Sequence, residues 1–319
     1  MKPQQQPSPD PAAADARAMA AAADWYHACF TGLVLFIVSR CGTAVADRFV
    51  YEVFSLQRSE KFLAGLDKLG LAGLPHAVAA AQYHYLSNWI GGVAVEYMLE
   101  SDTKAWIRYG APRWIWAGTA LCGIPSSVTR AMLEGWHAQN GVTLGNPRLG
   151  FVCTKMATDG DSGLEGYYRE YDHDLSPDER LCFAPDEDAP DFDADAAPAL
   201  PTLSWPADRL ARARRNYAIE YLRSAYLVAH RLWGAAEARR ILGLAGRLVG
   251  MQFFHQTARE LGAAQAAGAE GLADFIARLA HAQGDHATVS EIRDGFRVRQ
   301  STWKFMTGIE AVRDDLGGC

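Results

Sequence analysis

Cys122 stands in ALCGIPSS, just ahead of Pro125, which opens a helix with Ser126 or Ser127 near its start. Backbone amides and the positive end of a helix dipole lower a thiol's pKa there and hold a carboxylate or oxyanion. That makes Cys122 the best-placed candidate nucleophile, with plain capping serines as the bland alternative. Cys153 is a second candidate, on the apolar strand LGFVCTK. Strand alternation sets Lys155 on its face, where a cation favours the thiolate, although a small core residue looks the same. His84, in QYHYLSNW, lies one helical turn before Asn88. A His and an Asn among aromatics orient a planar substrate, which makes His84 a catalytic candidate; a satisfied core histidine has the same surroundings. Tyr83, Trp89, Trp114 and Trp116 supply aromatic walls. Arg108 and Arg113 bracket RYGAPR, and either guanidinium fork suits a substrate carboxylate, with Glu96 or Glu100 as the competing internal partner. His137, in EGWHAQNG, reads as a cation at a helix C-terminus.

A metal constellation competes with these. Asp24 and His27 are three apart, Glu52 and Glu60 sit on nearby helical segments, and His230 and His255 lie on long second-half helices. Helix bundles build di-metal sites from such donors, but the Glu-x-x-His pairs that mark them are missing. His281, Asp285 and His286 cluster near a turn. Walker loop, dinucleotide glycine fingerprint, nucleophile elbow and HExxH motif are all missing, so no cofactor is expected.

These residues must be held by a scaffold that reads as a duplication. Residues 42–70 and 234–262 run in register without a gap, matching Gly42, Ala44, Ala46, Arg48, Phe62, Leu69 and Gly70 with Gly234, Ala236, Ala238, Arg240, Phe254, Leu261 and Gly262. VEYMLESDTKAWIRY (95–109) pairs with VSEIRDGFRVRQ (289–300), and a tryptophan follows each, Trp114 and Trp303. Helical spacing of Val45, Phe49, Val53 and Leu56 predicts helix over 24–58, capped at Asp24 and broken near Gly42. A helix over 75–91 stops at Gly91-Gly92, then a hairpin follows, then a helix over 125–140. The second hairpin, around DGDSG, is the clearest of all. Residues 207–260 and 270–283 predict helices. The expected fold class is α+β: a lead-in over 1–23, a first half over 24–173, an acidic linker or lid over 174–206, and a shortened second half over 207–319.

Composition bounds the function. A chain of 319 residues with 49% hydrophobic and 21% charged side chains suits a folded domain pair. A formal net charge of −6 argues against a nucleic-acid partner. The six cysteines form no CxxC pair, which points away from a zinc ribbon, and they are too sparse for a disulfide scaffold, which fits a reducing cytoplasm. The apolar run ACFTGLVLFIV is too short to span a bilayer, so no membrane association is expected.

The order of elements over roughly 40–173 resembles the 4-vinyl-reductase type of ligand-binding domain and the L-2-amino-thiazoline-4-carboxylic acid hydrolase family. In those domains the last hairpin carries a cysteine, a Gly-Asp turn and a second cysteine. Here Cys153 and Gly160-Asp161 stand in the first two places, and Leu164 replaces the second cysteine. The resemblance implies a small organic molecule held between helices and sheet. The expectation is therefore a cytoplasmic enzyme, a hydrolase of a small aromatic or heterocyclic substrate, with a homodimer among the arrangements it allows. A non-catalytic binding module and a metal-dependent oxygenase are the alternatives.

Overall fold

Gly42 breaks the first long helix, and 192 positions later Gly234 breaks the last. In the computed structural model, which describes residues 11–110, 123–201, 203–263 and 268–307 together with Ile309, helix α1 (Pro11–Cys41) turns at Gly42 into α2 (Thr43–Leu69). Helix α6 (Ala207–Glu260) carries the same joint inside it. The two glycines have φ/ψ of 94°/161° and 74°/167°, a region that a Cβ closes to other residues. The offset of 192 persists: α3 (His76–Ile90) corresponds to α7 (Gly268–Ala282), and the hairpin β1 (Val95–Ser101) and β2 (Lys104–Gly110) to β6 (Ala287–Ile292) and β7 (Gly295–Gln300). The hairpins therefore align with Val95 on Ala287, two residues away from the match that side-chain types favour.

The chain is thus α+β, with two related halves. The first half alone continues through α4 (Ser126–Gly135), a short 3-10 turn, α5 (Asn140–Thr143), β3 (Leu149–Lys155) and β4 (Gly163–Glu170). Its sheet has the order β1-β2-β4-β3-β5, antiparallel except where the short β5 (Leu181–Phe183) runs parallel to β3. In the second half β6 and β7 form a two-stranded sheet of their own.

Two segments differ from expectation. Helix begins at Pro11 and not at Asp24, because the alanine tract is both a good helix former and small enough to pack; Ala21, Ala22 and Ala23 are buried against the second half. With this extension α1 is long and apolar enough to cross a membrane by length and composition, yet most of that stretch is buried inside the fold. The acidic segment 174–206 is more than a tether. It donates β5, and Ala184, Ala189 and Phe192 pack on the outer sheet face over Met98, Trp106, Val152 and Tyr167.

The main core lies between the broken helices and the inner sheet face. Phe30, Leu33, Phe49, Val53 and Phe62 meet Ala225, Val228, Ala238 and Ile241 there. The two halves therefore share one hydrophobic core.

Candidate functional site

A cavity of about 610 Å³ lies where the two halves meet. Helices α2, α3 and α4 of the first half form one wall, and the first turns of α6 form the other. Its size fits a small organic ligand.

Gly91 and Gly92, which stop α3, also seat the second wall. A Cβ on Gly91 would stand 2.7 Å from the Tyr217 ring, and one on Gly92 would stand 2.6 Å from Arg214 Nε. With the glycines in place, Tyr217 reaches over the end of α3 and donates its hydroxyl to Asn88 Oδ1 at 2.9 Å; Tyr221 Oη lies 2.9 Å behind it. Asn88 Nδ2 in turn donates to the backbone oxygen of His84 at 2.7 Å. The two halves are therefore tied by polar groups at the cavity wall.

His84 lies deeper, 2% exposed. Its ring stacks on His137 at 4.3 Å between centroids and on Tyr168 at 5.7 Å. Asn140 Nδ2 sits 2.9 Å from His84 Nε2 and 2.8 Å from Tyr168 Oη. With the amide nitrogen on that side, Nε2 accepts, and a neutral ring carries its proton on Nδ1. Asn140, rather than Asn88, thus positions the ring. His137 is a buried member of this cluster, 3.4 Å from the Tyr109 hydroxyl. Its place near a helix end predicts a dipole-stabilised cation; the structure instead packs the ring in the interior. Tyr83 closes the wall against Phe62, with ring centroids 4.9 Å apart, and burial raises its phenol pKa. Gln57 is 5% exposed and lines the cavity, and its amide makes no hydrogen bond to a described residue.

No family model matches the chain, and no curated protein or solved structure does either.

Of the residues singled out from the sequence, Tyr83, His84 and Asn88 meet in this cavity. Trp89 does not. It is 47% exposed and borders a second recess of about 560 Å³ at the end of the sheet, with Arg108 and Glu165. Arg108 is not a free anchor: its Nε donates to Glu96 at 2.5 Å and its Nη1 to Glu165 at 3.4 Å. Cys153 is buried under the sheet, its thiol 3.5 Å from the Lys155 carbonyl, and burial pushes its pKa up to about 12. A β-bulge between Cys153 and Lys155 breaks the alternation that would have set them on one face. Lys155 instead bonds the Pro185 carbonyl and pairs with Asp188. Cys122, Arg113, Trp114 and Trp116 lie outside the described residues.

The helix-borne donors stay apart. Among the described residues no group of three or more His, Cys, Asp or Glu side chains converges as a metal site requires. Asp285 is saturated by Gln283, Gln300, Thr302 and the Lys304 amide. His281 Nε2 lies 2.9 Å from the Ala287 carbonyl.

The sequence reasoning missed Gln57, Trp136, Asn140, Tyr217, Tyr221 and the basic residues of α6. A signal was present in the WHAQN spacing, which places 136, 137 and 140 within one helical turn. RLARARRN also carried one: Arg209, Arg212 and Arg215 recur every three residues, along one helix face.

Proposed function

We propose that this chain binds a small, largely aromatic or heterocyclic molecule in the cavity between its two halves. One observation supports this above the others. Buried polar side chains (His84, Asn88 and Gln57) gather with aromatic rings around open volume, the usual make-up of a ligand site. A packed core would have filled that volume with apolar groups. Binding is tested by calorimetry with a panel of mono- and bicyclic aromatic compounds, on the wild type and on Asn88→Leu. Saturable binding that Asn88→Leu abolishes supports the reading; a panel without any binder sinks it.

A second reading, an enzyme acting on the same guest, is favoured by the His84–Asn140–Tyr168 arrangement. The imidazole can take and return a proton at Nε2 when a water or substrate replaces the Asn140 amide there. Hydrolysis would then proceed by general-base activation of water, since no thiol belongs to the described lining. His84→Gln separates the two readings. Under the enzymatic one it keeps binding and loses turnover by about a hundredfold or more; a pure binding module shows no turnover to lose.

A further inference from the structure

The mouth of the cavity differs in kind from its interior. Six of its lining residues are cationic, Lys61, Lys68, Arg209, Arg212, Arg215 and Lys304, against the two acids Glu60 and Glu220. This stands out in a chain whose formal net charge is −6.

Part of that charge is already engaged. Lys61 pairs with Glu220 at 3.1 Å, and Arg223 pairs with Glu60 and Glu220. Arg212 is held by Asp208 at 2.8 Å on the exposed side. Arg209 and Lys68 lie over the Trp205 ring at 4.1 and 5.3 Å. Arg215 is different. It is 5% exposed, and among the described residues its guanidinium meets only neutral acceptors: Asn216 Oδ1 at 2.9 and 3.1 Å, and the Ala282 carbonyl at 3.4 Å. No described carboxylate forms an ion pair with it, although the buried Asp285 contributes a favourable field from further off. A buried guanidinium without an ion-pair partner is costly unless something else supplies the counter-charge.

Lys304, from the segment after β7, lines the same mouth, and its Nζ would stand 2.6 Å from a Cβ on Gly284. A Cβ there would also stand 3.0 Å from Arg215 Nη1. Gly284 therefore brings these two cations close together. Arg209 meets a cation at the corresponding position of the other half, Arg17, but Arg212 meets Ala20, Arg215 meets Ala23, Lys61 meets Phe253 and Lys68 meets Glu260. Arg209 apart, the basic character of the mouth thus belongs to the open cavity and is not repeated in the other half.

We infer that the guest of this cavity is an organic anion, its ring system among His84, Trp136 and Tyr217 and its carboxylate or phosphate at Arg212, Arg215 and Lys304. The inference rests on the proposed small-molecule binding and narrows it to a chemical class. The net positive mouth also steers such a guest inward across an otherwise acidic surface.

Three probes with one ring system test it by calorimetry: 1-naphthaleneethanol, 1-naphthaleneacetate and 1-naphthyl phosphate. At about 20 mM salt at least one anion binds about tenfold or more tightly than the alcohol, and the gap narrows at about 300 mM. Whichever anion binds more tightly identifies the head group as carboxylate or phosphate. Arg215→Met removes the advantage and leaves the alcohol's affinity in place. The double variant Arg212→Met/Lys304→Met, on exposed residues, reads the same advantage if Arg215→Met fails to fold. Equal affinity for all three probes overturns the anion assignment and leaves the cavity reading standing. Failure of all three to bind overturns both.

Discussion

The same wall exists twice in this molecule, once open and once shut. In the first half Tyr83, His84 and Asn88 face Tyr217 and Tyr221 across a cavity. The matching positions of the second half are Phe275, Ile276 and Ala280 on α7, and Trp25 and Cys29 on α1. There Trp25 packs edge-on to Phe275 at 5.8 Å, and Ala21, Ala22 and Ala258 close in around them. The ring pair below the wall survives in both: Phe62–Tyr83 at 4.9 Å and Phe254–Phe275 at 4.8 Å. The scaffold contact is repeated, while the polar lining occurs on one side only. Buried polar groups cost stability unless they are bonded or used, so their presence at these positions of the open wall, against Phe275, Ile276 and Ala280 at the matching positions of the shut one, is what a binding site predicts.

Several substitutions would break or sharpen this contrast. Phe62 is fully buried and Phe254 only partly. Phe62→Ala is expected to destabilise by about 3–5 kcal/mol in urea unfolding, and Phe254→Ala by roughly half as much. Equal losses would mean that the second wall is packed as tightly as the first.

His27, whose counterpart is Ile219, is the next lever. Burial, aided by Arg214, lowers its pKa from 6.5 to about 3, so the native ring is neutral. The unfolded chain takes up a proton below about pH 6.5. This contribution to stability is whole above that pH and declines as the pH falls towards 3, by on the order of a few kcal/mol. His27→Ile should flatten this acid limb in stability–pH curves. An unchanged limb would place the titration elsewhere.

The helix joints come next. Gly42→Ala and Gly234→Ala should each cost about 1–3 kcal/mol of thermal stability, since no neighbour crowds either position and the backbone alone objects. A large difference between them would show that the two joints are not equivalent. Giving the open wall the shut wall's residues, His84→Ile with Asn88→Ala, should weaken aromatic-ligand binding by about tenfold or more. The smallest effect is expected at Cys153. Its thiol should resist alkylation at pH 8, and Cys153→Ala should leave ligand affinity unchanged; rapid alkylation would contradict its burial.

Much of the scaffold was legible because its signals are local. The glycine joints, the stop at Gly91-Gly92 and both first-half hairpins depend on backbone preferences that few neighbours override. Tyr83, His84 and Asn88 were legible for the same reason, sitting together on one helix. What escaped notice depends on contacts distant in sequence. Tyr217 is 129 residues from the Asn88 it bonds, and no period within either helix announces that meeting. Arg108 looked available until folding set Glu96 and Glu165 beside it. The alanine tract looked idle because small side chains show their use only against a partner helix. Strand alternation misplaced Lys155 because a bulge cannot be read from residue types alone.

The tyrosine bond across the end of α3 has a consequence for the whole molecule. A chamber with one side from each half closes only while those halves stay docked. Filling it therefore holds together two parts of the chain that meet nowhere near each other in sequence, and the gain in resistance to unfolding grows with the logarithm of guest concentration. Heat tolerance would then report occupancy, even for a guest whose chemistry leaves no other trace.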